Sequence, residues 1–413
     1  MAVPQAVAPA RDPRLDFFRG IAMFIIFIAH TPNDWWALWI PARFGFSDAT
    51  EIFVFCSGMA SAIAFGGVYA RRGWLMGTAR TIYRIWQVYW AHIGLFFAVL
   101  LLCIVFDEAG IFISEKWSGS YVQSLNLTPF LTKTSDLVLG LFTLTYVPNY
   151  FDILPMYLAI LAMLPIVMAL RSISLWAVAT FMLVLWCLAN APLFGGTAIT
   201  LPAEPWSERP WFFNPLGWQL VFFTGFALMR GWIAPPPVRR GLVIAALLIV
   251  VLTVPFAWYR ALNAVPELKQ AATALGPLTN KSSFGLLRYV HFLALAYVAW
   301  VAVGPLGSRI SDLGRFQVVV DVIRKVGQQS LAVFIMSLII AQTVGAGFRT
   351  FGNAPVQSLI GNGIGFAGLI ATAYVVAWFK GQPWRQPARA VAPTAAVTAG
   401  ASMPDGIAAR RVD

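Results

Sequence analysis

Arg19 and His30 stand eleven positions apart in RLDFFRGIAMFIIFIAH, residues Arg14 to His30, an apolar run with its charges gathered at one end. Wound as a helix, that spacing puts both side chains on one face and about 16 Å apart. Asp16 precedes Arg19 by three positions, one helical turn, so the two can pair. A histidine has an ordinary pKa near neutrality and can take a proton from a hydroxyl nucleophile, which makes His30 the best general base in the chain. Ionisable groups are expensive inside hydrocarbon, so those found there point to function by default. The plainer reading has Arg19 reaching to the membrane surface and His30 bonding a backbone carbonyl. Three ionisable groups along one helix face favour function.

The carboxylates able to orient His30 are Asp34, four residues later, and Asp48 or Glu51 further on. His92 and His291 are the other two histidines, and no pair of the three has metal-ligand spacing, so no metal is expected. Both read as structural or substrate-orienting residues. Arg71, Arg72, Arg80 and Arg84 form a basic cluster that orientation of the chain in a membrane would explain unaided. Arginine forks also match phosphate oxygens, and a polyphosphate would suit them. Neither a GxxxxGK[ST] nor a GxGxxG motif is present.

The elements that must hold these groups are membrane spans. Of 413 residues, 59% are hydrophobic and 11% charged, and mean hydropathy is +0.73. This excludes an ordinary soluble domain, which carries about 25% charged residues. The net charge of +12 is dispersed between apolar stretches and gives no single patch for nucleic acid. Cys56, Cys103 and Cys187 all fall in apolar stretches and suggest no disulfide framework. Asp12, Arg14, Asp16 and Arg19 ahead of the first apolar run argue for an uncleaved anchor.

About 20 mainly apolar residues cross the hydrocarbon. Ten stretches qualify: 16–33, 47–70, 84–106, 152–170, 174–190, 214–232, 239–260, 286–306, 326–348 and 358–379. The apolar piece at 136–146 is short and reads as interfacial or re-entrant. An all-α polytopic bundle follows, with a short segment 1–15, a membrane domain 16–380 and a disordered tail 381–413 rich in Ala, Pro and Arg. An even number of spans leaves both termini on one side. Only Arg43, Lys116, Lys133, Arg209, Arg260, Lys269, Lys281, Arg288 and Arg349 then fall opposite the termini, and the remaining Lys and Arg make the terminal side cytoplasmic. Pro32 should end the first helix just past His30. Trp35, Trp36 and Trp39 then fall at the outer surface, and the long outer loops, rich in Trp, Tyr and Asn, suit either a ring-stacking ligand or an aromatic belt. No internal repeat is visible, as inverted-repeat transporters would have.

RLDFFRGIAMFIIFIAH resembles the first-helix signature of integral-membrane acyltransferases that modify sugars, in which an arginine is followed after ten residues by a histidine. EIFVFCSGMASAIAFG resembles the same superfamily's second helix, through Glu51, Phe53, Ser57 and Gly58. RDPRLDFFRG with FGFSDATEIFVFCSG, and FDILPMYLAIL, FNPLGWQLVFFTGF and GQQSLAVFIMS, look like the OpgC branch, the succinyltransferases of osmoregulated periplasmic glucans. Where the superfamily often has Arg-x-x-Arg entering its third helix, this chain spaces Arg80 and Arg84 four apart. The resemblance implies a multi-pass enzyme of the bacterial inner membrane. Acyl-CoA, read as succinyl-CoA with other acyl groups open, would dock its phosphates at Arg71, Arg72, Arg80 and Arg84. Its arm would pass Arg19 and bring the thioester to His30, beside Asp34 and Glu51, while a glucan hydroxyl enters from outside. Asp16, Asp48, Ser57, Asn149, Asp152, Arg288 and His291 are the expected substrate contacts, with Arg288 or Lys281 holding the succinyl carboxylate. A glycan or lipid-linked-sugar transporter and a non-catalytic scaffold are the rival readings. Oligomeric state is not legible.

Overall fold

The computed structural model describes residues 12–111 and 119–385. The expected terminal segment up to residue 11, and the expected tail from 386 onward, lie outside them. The principal helices are Pro13–His30 (α1), Ala49–Ser61 (α2), Gly67–Glu108 (α3), Ile153–Ile173 (α4), Leu175–Ala189 (α5) and Pro215–Met229 (α6). They continue as Arg240–Ala257 (α7), Leu286–Val303 (α8), Gln317–Gln328 (α9), Ser330–Phe351 (α10) and Pro355–Gly381 (α11). Among the described residues there is no strand, only an isolated bridge between Pro202 and Pro210. The fold is all-helical, and among the described residues six helical runs are long and apolar enough to cross a membrane. A carbonyl or amide exposed to hydrocarbon has no water to bond, and helices meet that constraint within each segment.

Each of the ten expected stretches falls on helix, but two boundaries differ from expectation. The second and third stretches join through a π turn, Ala62–Gly66, into one 60-residue run from Ala49 to Glu108. Arg71, Arg72, Arg80 and Arg84, expected in a loop, are therefore helical. Gly73 alone breaks the run, at φ 79°, a left-handed conformation that a side chain disfavours. The ninth stretch is also divided. Gln329 leaves the helical region (φ −104°, ψ 25°) and separates amphipathic α9 from apolar α10. The piece at 136–146 forms part of a short helix, Thr134–Phe142, and the turn after it. There Tyr146 stacks on Phe130, which meets Phe96 of α3 edge-on.

Packing is closest where glycines face backbone. A Cβ at Gly58 or Gly225 would collide with the carbonyl of Phe222 or Phe55, so α2 and α6 touch through reciprocal glycines. Gly20 and Gly327 do the same for α1 and α9, against Ile323 and Asp16. Without a hydrophobic difference between lipid and side chain, such close contact is the main source of helix–helix attraction. Gly327→Ala is expected to lose about 1 to 3 kcal/mol by overpacking. Gly347→Ala, which meets nothing within 4 Å, should be neutral or gain about 0.5 to 1 kcal/mol. Thermal unfolding of both variants in one detergent checks the contrast.

Candidate functional site

His30 is the last residue of α1. Thr31 caps the helix end in an extended conformation and returns its hydroxyl to the Phe27 carbonyl at 2.8 Å. Pro32 follows, restricting the preceding residue away from helix, and packs against Gly345 of α10. The break turns the chain immediately beyond His30 and leaves the imidazole at the mouth of the bundle. Its ring lies edge-on to Tyr150, with centroids 5.2 Å apart. Tyr150 holds φ 71°, unusual for a residue with a bulky side chain. His30 Nδ1 is buried and has no hydrogen-bond partner among the described residues.

A second group of charges is built on the start of α2. Asp48 caps the helix by accepting from Thr50 N at 2.7 Å, and Glu51 returns a carboxylate oxygen to Asp48 N at 2.7 Å. The capping box thus fixes two acids side by side. Lys281 Nζ approaches Asp48 at 2.5 Å and Arg288 Nη1 approaches Glu51 at 2.6 Å, with Asp48 4.0 Å away. Glu51 has no exposed surface. His291 stands behind this cluster, where Nδ1 accepts from Ser47 N at 3.2 Å and lies 2.7 Å from the Ser47 hydroxyl. It leaves no room for a Cβ at Gly45. The loop leading into α2 is therefore held from α8.

His30, Asp48, Asn149, Asp152 and Arg288 line one cavity of about 890 Å³. Asp152, at the start of α4, accepts from Phe212 N at 3.1 Å. The wall also includes Tyr150, Arg209, Trp211, Phe212 and Phe213, and Phe334 and Ile26 reach it from the bundle interior. Phe334 stacks on Phe53, with centroids 5.9 Å apart and planes at 16°. Such a pocket, apolar and aromatic with a few converging polar groups, is the usual form of a small-molecule site. Arg43, Arg209, Lys281 and Arg288 all line it. These are four of the cations that the alternation of spans puts opposite the termini, which was the signal available for finding Arg209 and Arg43. Arg209 pairs with Glu204 at 2.8 Å, so only Arg43 of the four has no acidic partner among the described residues.

Other expected site residues lie elsewhere. Glu51 and His291 support the wall without lining the cavity. Asp34 is buried and caps the next turn by accepting from Trp36 N at 2.9 Å. Burial raises its carboxyl above the ordinary range. Ser57 is buried on α2. Arg19 donates to the Ser330 hydroxyl, and Asp16 is buried where α1 meets α9. Arg71, Arg72 and Arg80 are exposed, and Arg84 is half-exposed and bonds Gln87 at 3.3 Å. At 1.5 Å per residue, Arg71 is about 33 Å along the helical run from Ala49, at the end remote from the cavity.

Removing one partner of a buried ion pair leaves an uncompensated charge. Arg288→Met should therefore destabilise the protein by about 3 to 5 kcal/mol, and Arg288→Met combined with Glu51→Leu should recover most of it. The thermal midpoints of the two variants, compared in detergent, test the pairing.

No curated protein and no solved structure matches the chain. A family model described as OpgC protein matches residues 11–381, nearly the whole length. With its apolar helical bundle, one cavity at a helix-end cluster and that match, the chain belongs to the OpgC family and is a membrane acyltransferase-type protein.

Proposed function

We propose that this protein moves a succinyl group from cytoplasmic acyl-CoA to hydroxyls of a periplasmic glucan at the bacterial inner membrane. The observation that carries this reading is the position of His30, a half-buried imidazole on the wall of a cavity that gathers aromatic rings and both signs of charge. His30 takes the proton from a sugar hydroxyl as its oxygen attacks the thioester carbonyl. The carbon–sulfur bond then breaks, and the CoA thiolate leaves. Once the substrates displace water from the cavity, the Tyr150 ring and the apolar end of α1 would limit its return to the imidazole, which favours transfer to the sugar over hydrolysis.

The donor side rests on Arg71, Arg72, Arg80 and Arg84, which offer exposed guanidinium groups to the phosphates of CoA. Arg19, bonded to Ser330 one helical turn from Phe334, would lie on the path from that surface to the cavity. Phe334 lines the cavity and stacks on Phe53, so on this route the thioester arm would have to turn those side chains aside. Lys281 and Arg288 are held by Asp48 and Glu51, whereas Arg43 is available for the far carboxylate of a succinyl group.

His30→Ala is expected to slow transfer from succinyl-CoA to glucan by about 10²- to 10⁴-fold with the protein still folded. Wild-type turnover in that variant would end the proposal, and glucan uptake into vesicles without any donor would identify a transporter instead. Charge-neutralised Arg71/Arg72 and Arg80/Arg84 variants should bind succinyl-CoA more weakly in equilibrium measurements on purified protein. Unchanged affinity in both would remove the donor site from that surface.

A further inference from the structure

The segment that closes the cavity beyond His30 has two faces. Ala37, Ile40, Ala42 and Arg43 line the cavity, whereas Trp35, Leu38 and Trp39 line a separate cleft of about 240 Å³. The other wall of the cleft comes from the end of α7 and the short helix after it, through Trp258, Tyr259 and Arg260. Trp39, Phe44 and Trp258 form a row with successive centroids 6.3 and 6.5 Å apart and planes tilted by 34° and 36°. Trp39 keeps 59% of its surface exposed. Arg260 lies over the Tyr259 ring and donates Nε to its hydroxyl at 3.1 Å.

We infer that this cleft is a second carbohydrate subsite that takes sugar units of the glucan outside the cavity. The inference rests on the acceptor proposed above. Pockets of about 300 to 1,000 Å³ enclose a molecule of drug size. A cavity of 890 Å³ therefore encloses only a short piece of a polysaccharide, and the rest has to leave across the rim. Residues 37–43 belong to that rim, and the aromatic cleft is on their other side. A pyranose presents a flat face of C–H groups edged by hydroxyls. Indole and phenol rings cover such a face, and the Arg260 guanidinium donates to the hydroxyls. Trp39 and Trp258 face the cleft from opposite walls, with Phe44 tilted between them as backing, and offer separate ring faces to neighbouring sugars, as aromatic platforms do for stacked bases along a nucleic-acid strand. Trp39 and Trp258 would thus set preference for acceptor length without touching the reacting atoms.

The test is binding and turnover with glucose oligosaccharides of increasing length, comparing the unaltered protein with Trp39→Ala, Trp258→Ala and Trp39→Tyr. Affinity for long oligosaccharides should fall about tenfold in each alanine variant, as should kcat/KM with succinyl-CoA as donor. Binding of a disaccharide and its turnover should be unchanged, and Trp39→Tyr, which keeps a ring, should retain most of the long-chain preference. If the unaltered protein binds long and short acceptors equally, the subsite does not exist. If the alanine variants change only stability in detergent or lipid, the rings anchor the protein at the membrane surface and the inference fails. Length-dependent binding without any acyl transfer would overturn the proposed reaction while leaving the subsite in place.

Discussion

A carboxylate with no exposed surface inside an apolar bundle is tolerable only with a counter-charge and hydrogen bonds, and Glu51 has both. Arg288 reaches it from α8, the capping box ties it to Asp48, and Lys281 balances Asp48 from the loop before α8. Two positive and two negative groups thereby fasten the start of α2 to a part of the chain more than 230 positions away. The attraction is worth little beyond the desolvation it offsets, but its direction is specific. It sets where the N-terminal end of α2 sits relative to α8. His291 adds a second tie through Ser47, and the cavity wall is thereby rigid on this side.

On the other side, geometry comes from close packing. The α1 helix has Asp16 and Gly20 against α9, Phe27 against Gly365 of α11, and Pro32 beyond its end against Gly345 of α10. Each contact removes freedom from the helix that carries His30. An imidazole fixed this way depends less on its own hydrogen bonds for orientation, consistent with the unpartnered Nδ1. The Tyr150 ring closes the remaining side, from a backbone held in the left-handed region.

The helices were legible because hydrocarbon demands long apolar runs, and such runs are hard to miss. The α9 helix was not, since five of its twelve residues are Asp, Arg, Lys or Gln and it is too polar to read as a membrane span. The helical run through Arg71 to Arg84 was likewise hidden, because a Gly and several charges in sequence look like a connection. Within the site, His30, Asp48, Asp152 and Arg288 could be singled out as rare ionisable groups near helix ends of like orientation. Their pairings could not. Lys281 with Asp48 and Arg288 with Glu51 join distant positions and leave no local pattern. Tyr150 carried no signal beyond its membership in an aromatic-rich loop.

The stacked Phe53 and Phe334 rings bear on the energetics of the membrane as well as on the cavity above them. A water-filled cavity open at one surface carries the potential of that surface inward, so the transmembrane voltage drops mainly across whatever closes it. Here the partition would span the stretch of α1 between Arg19 and His30, about 16 Å, roughly half of the hydrocarbon core. In the orientation proposed above, with the cavity facing outward and the cytoplasm negative, a charge crossing it would experience most of the field, about 2.3 kcal/mol per 100 mV. An anionic group passing outward through the rings would be driven by the membrane potential. The same rings, closed, would keep ions from leaking through the bundle between turnovers.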